Sequence, residues 1–182
     1  MGQRLNIEIK INGKVQANAY YHWSAYTEPA KKLAEKILEE VHRYDIKENP
    51  QVSAIKLLET TRAGLTTEER KIANEKYPKT NFAECYGRNG GLIAISDEGI
   101  KETRTWEEHR ITLDFDKQIV KFNVWSITTL DEYVEWNEKQ PEFTTSSSPL
   151  YMTFDYFLDR FCRRNTEGYD FIYKKLVYSS IY

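Results

Sequence analysis

Residues Arg4 to Thr27 constrain the fold of this chain more than any other stretch. Leu5, Ile7, Ile9 and Ile11 alternate with Asn6, Glu8 and Lys10, and after Asn12-Gly13-Lys14 a second run sets Val15, Ala17, Ala19, Tyr21 and Trp23 on one face. Period-2 alternation on both sides of a turn describes a β-hairpin with one face in the core. Asn-Gly is the usual two-residue hairpin turn. Such a loop, however, pairs Ile9 with Gln16 and so mixes core and solvent faces. A three-residue loop, Asn12 to Lys14, pairs Ile11 with Val15, Ile9 with Ala17 and Leu5 with Tyr21. The pattern therefore predicts the longer loop or a bulge.

Helical periodicity follows. Thr27 as N-cap, Pro29 in the first turn and the stripe Ala30, Leu33, Ala34, Ile37, Val41 and Tyr44 predict a helix from about residue 28 to 44. Asn49-Pro50 opens a second helix, with Ile55 and Leu58 inward and Gly64 as its stop. Thr66 and Glu69 match a capping box for a third, highly charged helix ending before Pro78. Residues 79–91 read as a loop, and Leu92 to Ser96 as a buried strand. Residues 97–108 fit either a turn plus an edge strand or one turn of helix. Ile111, Leu113 and Phe115, then Val120, Phe122 and Val124, form a second hairpin around a loop from Asp116 to Ile119. Thr129 and Glu132 start a helix to about Asn137, and residues 138–149 form a loop. Tyr151 to Arg164 reads as a helix with Phe154, Phe157, Leu158 and Phe161 inward, and Tyr169 to Tyr182 as a strand. The fold class is α+β: an antiparallel sheet built from hairpins, with helices packed on one face. The 182 residues suit one domain over 1–182, in which 128–182 can form a sub-lobe.

Composition excludes several classes. No apolar run approaches the roughly 18 residues a membrane span needs, and no signal-peptide pattern opens the chain, so no membrane association is expected. Cys85 and Cys162 lie far apart and are expected to be reduced thiols. Net charge is −2 overall, but residues 96–142 hold 6 basic and 12 acidic side chains. The chain is no bulk polyanion binder; an acidic face could meet a basic partner. The 13 Tyr, 8 Phe and 4 Trp fit core packing with polar rims or a contact surface, since Tyr and Trp favour interfaces.

Few residues carry chemistry. His22, His42, His109, Cys85 and Cys162 show no metal-ligand spacing, and no cofactor is expected. Asp114 and Asp116 could share a divalent cation, although acids are also ordinary at a hairpin turn. No serine lies in a nucleophile-elbow context, and Gly87 to Gly91 precedes a strand where a phosphate loop precedes a helix. Three surfaces stand out. Asp131, Glu135 and Glu138 fall on one helix face, either solvated or open to a basic partner. Arg160, Arg163 and Arg164 cluster beside Asp155 and Asp159, as an ion-paired surface or a phosphate-binding one. Tyr20 and His22 share the outward face of the hairpin, with Tyr26 nearby, and could form a contact patch.

Gly2-Gln3-Arg4-Leu5-Asn6-Ile7, followed by Asn18-Ala19-Tyr20-Tyr21-His22-Trp23-Ser24-Ala25-Tyr26-Thr27, resembles small proteins of phages and prophages of Firmicutes. The chain length resembles one group of anti-CRISPR proteins, the inhibitors of type II-A Cas9. The motif covers residues 2–27 and contains no catalytic signature. The resemblance implies a protein made in the bacterial cytoplasm during phage infection. It would bind Cas9 with its guide RNA and block target DNA binding or cleavage by occupancy, not as an enzyme. From charge alone, Asp131, Glu135 and Glu138 would answer a basic channel of Cas9, and Arg160 to Arg164 would contact guide RNA or DNA. Two other classes remain open: a phage regulatory protein that binds nucleic acid through the arginines, and a metal-dependent nuclease-like enzyme using Asp114 and Asp116.

Overall fold

The computed structural model describes residues 4–25, 27–85, 90–123 and 150–163. The helix expected over 129–137, the loop over 138–149 and the C-terminal strand lie outside the described residues, as do Asp131, Glu135, Glu138, Tyr26 and Arg164.

The opening hairpin forms as β1 (Leu5–Ile11) and β2 (Lys14–Tyr21). Asn12 and Gly13 both take positive φ, 56° and 72°, so the loop is the two-residue turn that Asn-Gly favours. The conflict of faces is resolved one step further on. Ile9 pairs with Ala17 but Lys10 pairs with Val15, so Gln16 is the extra residue of a bulge. Ala17, Ala19 and Tyr21 thereby return to the face of Leu5, Ile7 and Ile9. Val15, expected in the core, is turned to the opposite face beside Lys10.

Helices α1 (Thr27–Glu39) and α2 (Pro50–Glu59) cover the apolar face. Ala30, Ala34 and Ile37 of α1 and Ala54, Ile55, Leu57 and Leu58 of α2 are fully buried with Leu5, Ile7 and Ile9. Small side chains at Ala17, Ala19 and Ala54 leave room for α2 to lie close on β2. Gln51 of α2 satisfies the bulge. Its Nε2 donates to the Gln16 carbonyl at 3.0 Å and to that of Ile95 at 3.4 Å, and its Oε1 accepts from Lys76 Nζ and the Tyr77 hydroxyl. A buried amide with every donor and acceptor used holds the bulge without an unmet polar group.

The chain then runs through β3 (Gly64–Leu65), α3 (Thr67–Lys76) and β4 (Leu92–Ala94) to α4 (Asp97–Arg104). Gly64, expected as a helix stop, lies in a strand. A Cβ there would sit 2.2 Å from the Glu84 carbonyl oxygen, so close passage of two backbones requires the glycine. The ambiguous stretch 97–108 is mostly helix, with the Ser96 hydroxyl accepting from Gly99 N at 3.0 Å as its N-cap. Strands β5 (His109–Asp114) and β6 (Ile119–Asn123) form the second hairpin. It pairs Leu113 with Val120 and Asp114 with Ile119, so its four-residue loop is Phe115 to Gln118. Positive φ at Gln118 and the bonds from Asp116 N and Lys117 N to Asp114 Oδ1 set that earlier turn. Leu150–Thr153 is a strand, β7, where a helix was expected. The helical part begins only at Phe154, capped by Thr153, and Phe157–Phe161 is π-helical, with Cys162 N donating to the Phe157 carbonyl.

The seven strands make one sheet in the order β3-β4-β2-β1-β5-β6-β7. It is mixed, correcting the purely antiparallel sheet expected from hairpins alone. β1 runs parallel to β5, and β3 to β4. Nor are the helices confined to one face. α4 lies on the face of Asn6 and Asn18, where Asn6 Nδ2 donates to the Thr103 carbonyl and Asn18 Nδ2 to the Thr103 hydroxyl. The fold is α+β, and no helix among the described residues is long and apolar enough to cross a membrane.

Candidate partner-binding surface

Where α4 ends beside the last residues of β2, four aromatic rings meet. Tyr20 points to the α4 side of the sheet, as the alternation requires, and is itself 8% exposed. Its ring meets Trp106 edge-on, with centroids 5.3 Å apart at 74°. Its hydroxyl lies 2.9 Å from His22 Nδ1. His22 in turn sits edge-on to Trp23, at 4.6 Å and 89°. These are the offset geometries that ring quadrupoles prefer, so the four rings brace one another.

Exposure divides the group. β2 ends at Tyr21, and past it the strict alternation lapses, so Trp23, expected inward with Tyr21, is 59% exposed. Trp106, two residues beyond the end of α4, is 36% exposed. Tyr21 remains in the core, and its hydroxyl lies 2.6 Å from Thr61 Oγ1. Burial pushes the Tyr21 phenol far above its ordinary range, so it stays protonated. Burial also raises the Tyr20 phenol, partly opposed by the nearby Arg4 guanidinium. Arg4 pairs with Glu108 at 3.4 Å and supplies a polar rim. Exposed Trp and His on a braced Tyr, with a charged border, have the make-up of a protein-binding hot spot.

Of the residues singled out in the sequence, Tyr20 and His22 are brought together here, Tyr20 as support and His22 as surface. Sequence reasoning missed the exposure of Trp23 and gave Trp106 no role. No sequence signal marked Trp23, because the apolar alternation runs on through it while the pairing of β2 stops at Tyr21. Arg160 and Arg163 are exposed, as are Asp155 and Asp159. Arg160 lies in the π-helical turn, and its expected neighbour Arg164 is outside the described residues.

The remaining candidates have structural uses. Both carboxylates of the suggested cation site accept backbone N–H bonds: Asp116 from Asn12 and Gly13 at 2.8 Å each, Asp114 from Asp116 and Lys117. Among the described residues no group of three His, Cys, Asp or Glu is placed to hold a metal ion. Cys85 and Cys162 are free thiols. Burial raises both, and the Glu35 carboxylate raises Cys162 further, which disfavours the thiolate a nucleophile needs. No family model matches this chain, and no curated protein or solved structure matches it either.

Proposed function

We propose that this protein is a binding inhibitor that acts by occupancy on guide-loaded Cas9, with no turnover of its own. The observation that carries the binding role is the braced aromatic patch, in which Trp23 and Trp106 stand exposed beside the end of β2, a strand paired on both sides. Large, ordered aromatics lose little conformational entropy on docking and provide most of the affinity at such contacts. The choice of Cas9 rests on the resemblance of residues 2–27 to small phage and prophage proteins and of the chain length to the type II-A Cas9 inhibitors. Tyr20, His22 and Trp23 of the patch belong to that same motif, while Ala19 and Tyr21 are its buried frame.

The test is target-DNA cleavage by guide-loaded Cas9 during titration with this protein. Cleavage should stop near stoichiometric ratio. Trp23→Ala should leave the circular dichroism spectrum unchanged and weaken inhibition at least about tenfold, the loss typical of an aromatic hot spot. Full cleavage in large excess of the protein, across several Cas9 orthologues, would remove the proposal. Joint charge reversal of Asp131 and Glu135 tests whether the acidic segment contributes a second contact.

A further inference from the structure

A second surface lies on the same side of the sheet as α4, past the end of that helix, over β5, β6, β7 and the turn ends of β1 and β2. Arg110, Thr112 and Asp114 of β5 face this side, with Lys121 of β6, Tyr151 of β7 and Glu8 and Lys10 of β1. All of these but Arg110 enclose an open trough of about 480 Å³, lined also by Gly13, Val15, Lys117 and Ile119. A smaller hollow of about 160 Å³ adjoins it, sharing Thr112 and Lys121. The floor is short or apolar, from Thr112, Val15 and Ile119. Val15 is there only because the Gln16 bulge turned it over. The walls are lysines and an aromatic ring, with Lys121 Nζ 5.8 Å over Tyr151.

The charges do not cancel. Glu8 is answered by Arg104 at 2.6 Å and by Arg110 at 3.6 Å. Asp114 is answered by Lys10 at 3.9 Å and by two backbone N–H groups. Lys117 and Lys121 are both exposed and make no ion pair among the described residues. The adjoining hollow adds Glu107 and Glu108, answered by Arg110 and Arg4, so the ammonium groups left without an ion pair among the described residues are those of Lys117 and Lys121.

We propose that this trough binds a single-stranded nucleic acid, with Lys117 and Lys121 on phosphates, assisted by Lys10, and the sugar and base over Val15 and Ile119. Surplus ammonium groups beside an apolar floor and an aromatic wall match a polyanion that carries flat apolar bases. The volume is that of a small-ligand site, room for a base with its sugar and phosphate. Arg160 and Arg163, the arginines suggested by the sequence, line neither hollow. The inference does not rest on the Cas9 reading.

The experiment is fluorescence anisotropy of a labelled single-stranded oligonucleotide with the intact protein. Saturable binding at low salt is expected, with log affinity falling against log salt at a slope of about −0.7 per phosphate neutralised. Lys117→Glu with Lys121→Glu, both at exposed positions, should weaken binding at least about tenfold, flatten the slope and leave the folded spectrum intact. Trp23→Ala should leave this binding unchanged even if it abolishes inhibition of Cas9. No binding at low salt would overturn the proposal. So would binding that survives the double lysine variant but is lost in Arg160→Glu with Arg163→Glu. Equal affinity for a duplex of the same length, or displacement by an acidic peptide at similar concentration, would also overturn it.

Discussion

Glu69 is a carboxylate whose sequence context, a capping box with Thr66, points to a different task from the one it performs. Its backbone N–H donates to the Thr66 hydroxyl at 3.3 Å, as a capping box requires. Its side chain does not complete the box. It reaches instead to Ile95 N at 2.8 Å, Ser96 N at 2.9 Å and the Ser96 hydroxyl, at the start of α4. One acid of α3 therefore joins β4 to α4, with its charge at the positive end of that helix. Glu69→Ala leaves two inward N–H groups without their acceptor and should cost about 2–3 kcal/mol. Glu69→Gln keeps an acceptor but loses the charge, and should cost about 1 kcal/mol. Urea unfolding of the two variants checks the order. Equal stability of Glu69→Ala and the parent would show that the bonds at Ile95 and Ser96 contribute nothing.

The two hairpins are fastened to each other at both ends of the β1–β5 seam. At one end Glu108 N and His109 N donate to the Arg4 carbonyl, and the Glu108 carboxylate meets the Arg4 guanidinium. At the other, Asp116 in the second turn accepts from Asn12 N and Gly13 N in the first. Those two bonds hold the Asp116 carboxyl below the usual carboxylate range. A lowered folded pKa means that this clamp stabilises the fold above the unfolded carboxylate pKa and is lost as pH falls through the folded value. Asp116→Asn should therefore lower Tm at pH 7 and reduce the Tm difference between neutral and strongly acidic solution. An unchanged acid dependence in thermal scans would rule the clamp out. The local half of this arrangement was legible in the sequence: both hairpins, and the pairing of Ile9 with Ala17 and Leu5 with Tyr21. The seam was not, because Ile111 and Leu113 alternate alike beside a parallel or an antiparallel neighbour. The connection decides the direction, and here it is long, holding β2, β3 and β4 as well as α1 to α4. Residues 97–108 misled because Thr103 and Trp106 suit strands, whereas the Ser96 cap and the bonds to Thr103 favour helix. The aromatic surface was half legible. Alternation placed Tyr20 and His22 outward, but the strand end that frees Trp23 depends on where pairing with Leu5 stops.

Taken across the whole molecule, the sheet has two different halves. Around β2 and the start of β1 it is covered on both faces, by α1 and α2 on one and by α4 on the other. From β5 to β7 the face beyond α4 carries the lysine trough. β1 sits between β2 and β5, hydrogen-bonded on both sides, and Leu5, Asn6, Ile7, Glu8 and Ile9 are all buried. The polar members of that set are held rather than solvated: Asn6 by Thr103 and Glu107, Glu8 by Arg104. Opening β1 thus requires parting two ladders, the helical layer and a buried polar network together. That motion is nearly global unfolding. Native-state hydrogen exchange should find the slowest amides in β1, at the global unfolding free energy, on the order of 5–15 kcal/mol for a domain of this kind. α3, which buries only Glu69 and Ala73, should exchange by local opening at much lower cost. Both proposed surfaces are borne on this protected frame, the aromatic patch at the end of β2 and the trough across β1 and β5. Binding at either should therefore add little to the protection of β1 and slow exchange chiefly at its own margin. Slow exchange in α3 equal to that in β1 would contradict this division of the molecule.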